Sequence, residues 1–336
     1  MKIVVDVVAD EASRAALRQR SECQIEYIEP PEERSRELDP RQIHEADVLF
    51  CMLPPTNHRV MGSLKWIQIA SVGYTQLFDL DLPNRAVRAT NARGCFDVPI
   101  AEWNIAMMVN LTRDLRQMIR NQEAAVWDRS AIFQRELRGA TVGLWGYGGI
   151  GRETARLARQ MGLRVHVLAR NKIEPTRNIC VVPGTGDPEG VLPHRVFGPG
   201  QEMEFLSTLD FLILALPLTK ATEGLVGECE LRALPRTAYV LNPARGPIIQ
   251  EAALLKALEE KWIAGAALDT HYRYPLPPEH PLWRFPNVIL TPHISGSSLG
   301  PHFKQRVWEI FTANVDRFLR FEPLFNELNA SQLSGK

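Results

Sequence analysis

The sequence predicts an α/β protein of two doubly wound domains, each with a parallel sheet covered by helices. Three observations predict this: the length, two separate series of alternating strands and helices, and a long apolar helix between the series. The chain has 336 residues, which at about 150 residues per domain corresponds to roughly two domains. Strands that alternate with helical segments are typical of parallel sheets with helices on their faces.

The first series occupies roughly the first 100 residues and predicts one parallel sheet. A polar segment with helical spacing, Glu11–Arg20, follows the first apolar run. The runs that predict strands are Ile3–Val8, Ile25–Ile28, Val48–Met52, Trp66–Ala70 and Val87–Thr90.

A long apolar periodicity follows, without glycine or proline after Pro99, and predicts a single helix over Val98–Val126 that leaves the first domain. The second alternating series then predicts another parallel sheet. Its strands are expected at Thr141–Trp145, Arg164–Ala169, Asp210–Ala215, Ala238–Asn242, Gly265–Leu268 and Val288–Thr291.

Residues 175–200 interrupt the second series with five prolines and five glycines among 26 residues. This composition predicts an irregular surface excursion, and a loop of this length could also be a lid. The tail is helical again over Pro301–Leu324, with its apolar side chains roughly on one face.

The overall charge argues against a nucleic-acid or membrane partner. Lys plus Arg and Asp plus Glu both number 39, whereas proteins that bind nucleic acid or anionic membranes normally carry a basic excess. The longest apolar run, Phe211–Leu218, is far shorter than the ~20 residues that span a bilayer. Asp6 and Asp10 interrupt the N-terminal apolar stretch, so an export signal is not expected.

The five cysteines are scattered and never form a CxxC pair, which favours reduced thiols in the cytoplasm over disulfides. The histidines show no metal-ligand spacing either. We therefore expect no metal site.

A glycine-rich turn provides the first functional prediction. The segment Gly146-Tyr-Gly148-Gly149-Ile150-Gly151 follows a predicted strand, opens a helix and precedes a second strand, as a dinucleotide-binding fingerprint requires. The first glycine permits the tight turn, the second lets the backbone approach a pyrophosphate, and the third allows close packing of helix and strand. Free N–H groups at the helix N-terminus would bind the phosphates. The alternative is a glycine-rich turn without a ligand.

The residues after the second strand of this Rossmann-like unit favour NADP(H) over NAD(H). A carboxylate normally binds the cofactor's ribose there. This chain has Ala169 instead, followed by Arg170, Asn171 and Lys172. The two cations suit a 2′-phosphate, because the arginine fork can clamp it and the lysine adds a point charge. The alternative is that both are solvated loop charges.

At this point the chain resembles the D-isomer-specific 2-hydroxyacid dehydrogenase family over nearly its whole length. The resemblance rests on the order of several motifs. They are Ala70–Tyr74, Thr90-Asn91, Val98–Glu102, the glycine-rich turn, Leu216–Thr219, Gly224–Val226, Asn242–Gly246, Ala266–Asp269, Pro275–Pro281 and Thr291–Gly296.

The resemblance implies a nucleotide-binding domain, residues 101–296, inserted into a discontinuous substrate domain, residues 1–100 and 297–336. It implies transfer of a hydride between a nicotinamide and C2 of a 2-hydroxy or 2-oxo acid, and we expect a 2-oxo acid reductase of the glyoxylate or hydroxypyruvate kind. It also implies a homodimer in which the long helix takes part, although the apolar face of that helix could be wholly intramolecular.

The resemblance also implies roles for single residues. Arg245 would bind the substrate's carboxylate and carbonyl through its permanently charged planar fork. His293 would carry the proton, because imidazole titrates near neutral pH. Backbone N–H groups near Val72 and Gly73 would hold the other side of the carboxylate. Asp269 would hold the nicotinamide carboxamide region.

Pro217, in the motif Leu216–Thr219, is a further expected cofactor contact. An arginine that follows a strand can also be a surface ion-pair partner, and a histidine in a proline-rich turn can be structural. The motif order favours the functional interpretation of Arg245 and His293.

The sequence departs from the family at Tyr274, where a glutamate usually pairs with the catalytic histidine. Three hypotheses follow. In the first, reduction still runs with His293 less readily protonated. In the second, the reaction needs no proton relay, as in members that oxidise formate, although their asparagine position holds Phe96 here. In the third, the protein has kept nucleotide binding without turnover, as a sensor similar to the family's transcriptional corepressors.

Overall fold

The structure is a computed structural model that describes residues 1–32, 34–130, 134–176, 179–298 and 300–334. The chain divides into two compact units. The first comprises Met1–Phe96, Asn178–Val182 and Ser298–Lys336, and the second Asp97–Arg177 and Pro183–Ser297. The sequence boundaries after residues 100 and 296 differ from these by a few residues. The additional segment of the first unit falls within the predicted 175–200 excursion, of which residues 177 and 178 lie outside the described residues.

All strands of both units run parallel, as the alternating pattern predicts. The strands of the first unit are β1 Lys2–Asp6, β2 Gln24–Tyr27, β3 Val48–Cys51, β4 Trp66–Ile69 and β5 Arg88–Thr90, in the order β2-β1-β3-β4-β5. Those of the second unit are β6 Thr141–Trp145, β7 Arg164–Leu168, β8 Arg195–Phe197, β9 Phe211–Leu214, β10 Tyr239–Asn242, β11 Gly265–Leu268 and β12 Val288–Leu290.

The helices connect these strands. They are α1 Glu11–Arg18, α2 Pro40–Ile43, α3 Asp97–Arg113, α4 Leu115–Glu123, α5 Gly149–Gln160, α6 Glu202–Leu206, α7 Glu228–Ala233, α8 Glu251–Glu259, α9 Pro301–Leu319 and α10 Ala330–Leu333. Among the described residues, no helix is long and apolar enough to cross a bilayer.

The sheet of the second unit has the strand order β12-β11-β10-β9-β6-β7-β8. The chain order therefore reverses between β6 and β9, and ligands of such sheets collect beyond the carboxyl ends of the strands at this switch point. The strands are almost continuously apolar and buried, since both faces are covered. The carboxyl edge of this sheet is thus the expected place for a site.

The C-terminal helix α9 completes the core of the first unit. Pro301 occupies the first turn of α9, where its missing N–H costs no hydrogen bond. Phe311 stacks on Phe50 of β3 with ring centroids 4.1 Å apart, and Trp66 of β4 lies 5.5 Å from the same ring. These aromatic contacts join residues far apart in sequence and explain why the first unit is discontinuous.

Two sequence predictions about secondary structure were wrong. The predicted single helix over Val98–Val126 is two helices, because Asp114 adopts a left-handed conformation (φ 46°) and caps α4 at the backbone N–H of Gln117. The predicted irregular excursion over 175–200 contains strand β8, which extends the sheet beyond β7. A three-residue edge strand leaves too short a pattern to detect.

We expect Asp114→Ala to lower the free energy of unfolding by about 1 kcal/mol, because it removes both the helix cap and the short polar side chain that makes the left-handed conformation tolerable. Asp114→Gly should cost only a few tenths of that energy, since glycine tolerates this conformation. Chemical unfolding followed by circular dichroism measures both variants. Equal destabilisation by the two substitutions would contradict the assignment of the break to Asp114.

Candidate active site

The glycine-rich turn has the geometry that a bound pyrophosphate requires. Gly146 has φ 102°, and a Cβ built there would lie 2.5 Å from the carbonyl oxygen of Ala215. A Cβ at Gly151 would lie 2.6 Å from the Gly146 carbonyl oxygen. Gly148, by contrast, is the N-cap of α5 and has no atom within 4 Å of such a Cβ. The first and third glycines therefore pack the turn, and the second leaves open space beside the helix N-terminus.

The remaining predicted residues of this turn fit the same arrangement. Gly149 begins α5 and has no room for a side chain, because the Asp97 carboxylate occupies that position. Ile150 follows as the second residue of the helix. Pro217 lies exposed beyond the end of β9, and its carbonyl accepts a hydrogen bond from the Thr222 hydroxyl at 2.6 Å. The open space and the helix N-terminus fit a dinucleotide phosphate.

Arg170, Asn171 and Lys172 are exposed directly after β7. Within the described ranges, neither cation makes an ion pair or a hydrogen bond to protein. The described part of the chain therefore does not neutralise their charges.

Arg245 follows β10, at the same edge of the sheet. Asn242, the last residue of that strand, folds the following turn: its amide donates to the Arg245 carbonyl at 2.9 Å and its carbonyl oxygen accepts from the Ala244 N–H at 3.0 Å. The Arg245 guanidinium donates to the Ala244 carbonyl at 2.7 Å and has no carboxylate partner in the part of the chain that the structure describes. Arg245 is thus a half-buried cation whose guanidinium has N–H donors without a partner among the described residues.

His293 lies in the turn after β12, with φ 58°, and a buried carboxylate holds this turn. Asp269 is fully buried, and its Oδ1 accepts from the Thr291 hydroxyl at 2.6 Å and the Ile294 N–H at 2.9 Å. Its Oδ2 accepts from the N–H and hydroxyl of Ser295 at 3.0 and 2.5 Å. Asp269 therefore fixes both sides of His293. Its predicted contact with a nicotinamide carboxamide stays a prediction.

Tyr274 does not replace the missing carboxylate through its hydroxyl. The ring lies beside His293, with centroids 5.5 Å apart, but the hydroxyl accepts a hydrogen bond from the His271 backbone N–H at 3.2 Å. His271 in turn donates from Nε2 to the Thr291 carbonyl at 2.8 Å. A buried histidine and an exposed tyrosine thus stand where the family places a charged partner.

The surroundings of His293 lower the pKa of its imidazole below the ordinary value of 6.5. Burial is the largest cause, because it penalises the charged form, and the positive charge of Arg245 acts in the same direction. Asp269 opposes them, while His271 lowers the pKa further. His293 is therefore mainly neutral at pH 7.

In the first unit, Val72 and Gly73 follow β4. The Val72 carbonyl accepts from the Asn91 amide at 2.8 Å, and the Gly73 carbonyl accepts from the Ser71 hydroxyl at 2.7 Å. Neither residue uses its backbone N–H in a hydrogen bond within the described ranges. Both N–H groups are therefore available to an anion. Phe96 packs against Phe303 with ring centroids 4.8 Å apart.

The residues that hold the site together were not predicted from the sequence. Asn242, Thr291 and Ser295 lie inside the family motifs, and His271 lies between Asp269 and Tyr274. A short polar residue that ends a buried strand is a usable signal for a turn-forming side chain, and Asn242 fits it. Nothing local predicts that the Asp269 carboxylate reaches residues 22 to 26 positions later. Among the described residues, no group of acidic, cysteine and histidine side chains could hold a metal.

Comparison with known proteins agrees with this geometry. The family profile described as "D-isomer specific 2-hydroxyacid dehydrogenase, NAD binding domain" matches residues 105–295. A glyoxylate reductase of Thermofilum pendens is 33% identical over 296 residues, covering 86% of this chain and 83% of that protein. A glyoxylate reductase of Thermococcus gammatolerans is 30% identical over 305 residues, covering 86% and 85%.

Solved structures share the fold. An NADPH-dependent glyoxylate/hydroxypyruvate reductase from Sinorhizobium meliloti, in complex with NADP and sulfate, has a TM-score of 0.77 at 23% identity and covers 100% of this chain and 99% of its own. A D-isomer specific 2-hydroxyacid dehydrogenase from Xanthobacter autotrophicus, in complex with NADPH and MES, has a TM-score of 0.78 at 23% identity and covers 99% of each chain.

The charges around His293 predict how its titration responds to substitution. Arg245→Met should raise the pKa of His293, because it removes a neighbouring positive charge that disfavours the imidazolium form. Asp269→Asn should lower this pKa by removing the opposing negative charge. NMR titration of the His293 ring resonances measures both shifts. Shifts in the same direction would contradict this account of the site.

Proposed function

Because the chain belongs to the D-isomer specific 2-hydroxyacid dehydrogenase family, we propose that it reduces a small 2-oxo acid, glyoxylate or hydroxypyruvate being the expected kind. The observation that carries the proposal is the common location of the functional residues. The glycine-rich turn follows β6, Arg245 follows β10, Asp269 follows β11 and His293 follows β12, all at the carboxyl edge of one parallel sheet. The names of the relatives support this substrate class.

The residues of the chain divide the work of reduction. A reduced nicotinamide, when bound, supplies the hydride. Arg245 binds the substrate's carboxylate and polarises its carbonyl, because its guanidinium has donors not used by a carboxylate of the protein. The imidazole of His293 gives a proton to the oxygen that becomes the hydroxyl. Asp269 keeps the turn of His293 in place and does not itself need to exchange a proton.

With Tyr274 in place of a glutamate, the rate of reduction is expected to be higher at acidic than at neutral pH. A carboxylate at position 274 would favour the imidazolium form of His293, whereas the phenol adds no charge at neutral pH. Since burial and Arg245 lower the pKa of His293, the proton-donating form is less populated at pH 7 than in a histidine with the ordinary pKa. The site therefore favours the neutral imidazole, and the rate of reduction at neutral pH is lower as a result. The neutral imidazole is the form that accepts a proton when a 2-hydroxy acid is oxidised.

We expect kcat/KM for 2-oxo acid reduction to fall about tenfold per pH unit above a midpoint that lies below 6.5, because only protonated His293 can donate. Tyr274→Glu should move this midpoint upward and raise kcat/KM at pH 7.5 about tenfold. The neutral variant Tyr274→Gln is the matched control and should leave the midpoint in place. A profile that is flat to pH 9 in the natural protein would refute the role of His293.

We also propose that NADP(H) is preferred over NAD(H). Ala169 leaves no carboxylate to repel a 2′-phosphate, and the exposed Arg170 and Lys172 have no protein partner among the described residues that would neutralise them. A charge-assisted hydrogen bond to a phosphate contributes about 1.5–3 kcal/mol, which corresponds to a ten- to hundredfold preference.

The double variant Ala169→Asp, Arg170→Gln should shift the ratio of kcat/KM values toward NADH at least tenfold. The carboxylate would accept the 2′-hydroxyl and repel the 2′-phosphate. Arg164→Gln, at the opposite end of β7, is the matched control for loss of a surface cation. An unchanged ratio in the double variant would contradict the proposed phosphate site.

We further propose a homodimer that involves α4 and the residues after it. Ile119 and Val126 are exposed, and Trp127 is 89% exposed, an unusual degree for an indole ring. These side chains support the expectation that the region is covered in an assembly.

The second candidate function is a nucleotide sensor without turnover. The observation that favours it is the hydroxyl of Tyr274, which bonds to the His271 backbone rather than to His293. Assays of a panel of 2-oxo acids with NADPH and NADH across pH distinguish the two functions. Turnover supports the reductase, whereas tight cofactor binding without turnover of any acid would favour the sensor.

A further inference from the structure

Side chains of the glycine-rich turn and of α5 hold residues 183–192, which we name the latch segment. The Tyr147 hydroxyl, located between Gly146 and Gly148, donates to Oδ2 of Asp187 at 2.6 Å. The Glu153 carboxylate of α5 accepts from the Gly186 N–H at 2.5 Å. The turn that receives the pyrophosphate is thus bonded to a segment about 40 residues later.

Arg152 makes the third set of hydrogen bonds. It joins two parts of the chain segment that links β7 to β8. Its guanidinium donates to the carbonyl of Asp187, in the latch segment, and to the carbonyl of Glu174 at 2.7 Å. Glu174 lies two residues after Lys172. One buried cation therefore ties the latch segment to the chain directly after the predicted 2′-phosphate site.

The groups that form these connections are almost completely buried. Asp187 is 4% exposed, Arg152 7% and Glu153 1%. Asp187 also accepts from the N–H groups of Val191 and Leu192 at 3.1 and 2.9 Å, so its carboxylate shapes the latch segment itself. Buried charges of this kind persist only when all their partners are present, and removal of one partner leaves the others without compensation.

The latch segment also packs closely against residues 173–176. Gly190 has φ 73°, and a Cβ built there would lie 2.6 Å from Cγ2 of Ile173 and 3.5 Å from Nη1 of Arg152. The Thr176 N–H donates to the Pro188 carbonyl at 2.8 Å. The latch segment is therefore pressed against residues 173–176, which continue directly from Arg170–Lys172.

We propose that Asp187 is a positioning residue for the cofactor: through Tyr147 and Arg152 it holds the glycine-rich turn and residues 170–172 as one preorganised surface. The latch segment is bonded to Tyr147 in the turn of the pyrophosphate site and to Thr176, which follows the residues of the ribose site in the chain. A ligand that meets a preformed surface does not have to order it, so the affinity for the dinucleotide depends on these bonds. The inference rests on the cofactor site of the proposed function.

Tyr147→Phe and Asp187→Asn, each in the full chain, test the proposal. The dissociation constants for NADPH and NADH, measured by isothermal titration calorimetry, should both rise about tenfold in each variant. The kcat at saturating cofactor and the KM for the 2-oxo acid should stay within twofold of the natural protein. The double variant should lose no more than about the larger single effect, because Tyr147→Phe removes a hydrogen bond that belongs to the set which Asp187→Asn already disturbs.

Two matched controls lie at the amino ends of β9 and β10, two other strands of the same sheet. Tyr239→Phe removes a phenol hydroxyl that has no hydrogen bond within the described ranges, and Asp210→Asn changes a carboxylate that accepts from the Thr141 N–H at 2.8 Å. Neither should change the dissociation constants by more than twofold. Equal losses of affinity in the controls would show that the effect of the latch residues is general destabilisation, and would overturn the proposal.

Hydrogen exchange provides a readout that is independent of turnover. In Tyr147→Phe, the amides of residues 183–192 should exchange faster than in the natural protein, and saturating NADPH should restore their protection. Unchanged dissociation constants in a folded Tyr147→Phe variant would overturn the proposal while leaving the proposed function intact. Failure of the natural protein to bind either dinucleotide would overturn both.

Discussion

The buried carboxylate of Asp269 is the interaction on which the proposed catalytic site depends. It follows β11, the neighbour of the edge strand β12, and accepts four hydrogen bonds from Thr291, Ile294 and Ser295. These bonds determine where the chain runs after β12, and so they determine the position of His293 between them. A carboxylate in this environment is stable only because donors surround it, since an unpartnered buried charge would be far too costly. The site is thus built from the inside of the sheet outward.

The same carboxylate also limits how far the pKa of His293 is lowered. Burial, Arg245 and His271 all lower the pKa of His293, and Asp269 is the one opposing influence among the charges that act on it. A family member with a glutamate in place of Tyr274 would have a second opposing charge. Without it, Asp269 is the carboxylate that offsets burial and the positive charge of Arg245. The electrostatics of the site therefore follow from one substitution in a short connecting segment.

Much of the fold could be predicted from the sequence, because long buried strands and the glycine-rich turn leave strong local patterns. The strands β6 and β11 have the predicted bounds, and the others differ by a few residues at their ends. The failures have a common cause. The break at Asp114 depends on one backbone conformation, and β8 depends on pairing with β7, so neither leaves a periodic pattern. Similarly, Arg245 and His293 could be proposed from motifs, whereas Asn242 and His271 act through contacts that only the folded chain brings together.

Although the formal net charge is zero, the carboxylates and the cations of the second unit have different roles. Three of its buried carboxylates accept hydrogen bonds within the scaffold: Asp269 holds the turn of His293, while Asp187 and Glu153 hold the latch segment. The cations at the edge of the sheet, Arg245, Arg170 and Lys172, have no carboxylate partner among the described residues. Because these carboxylates are bonded within the scaffold, they do not pair with the three cations. The cations are therefore available to an anionic cofactor and an anionic substrate, as the proposed function requires.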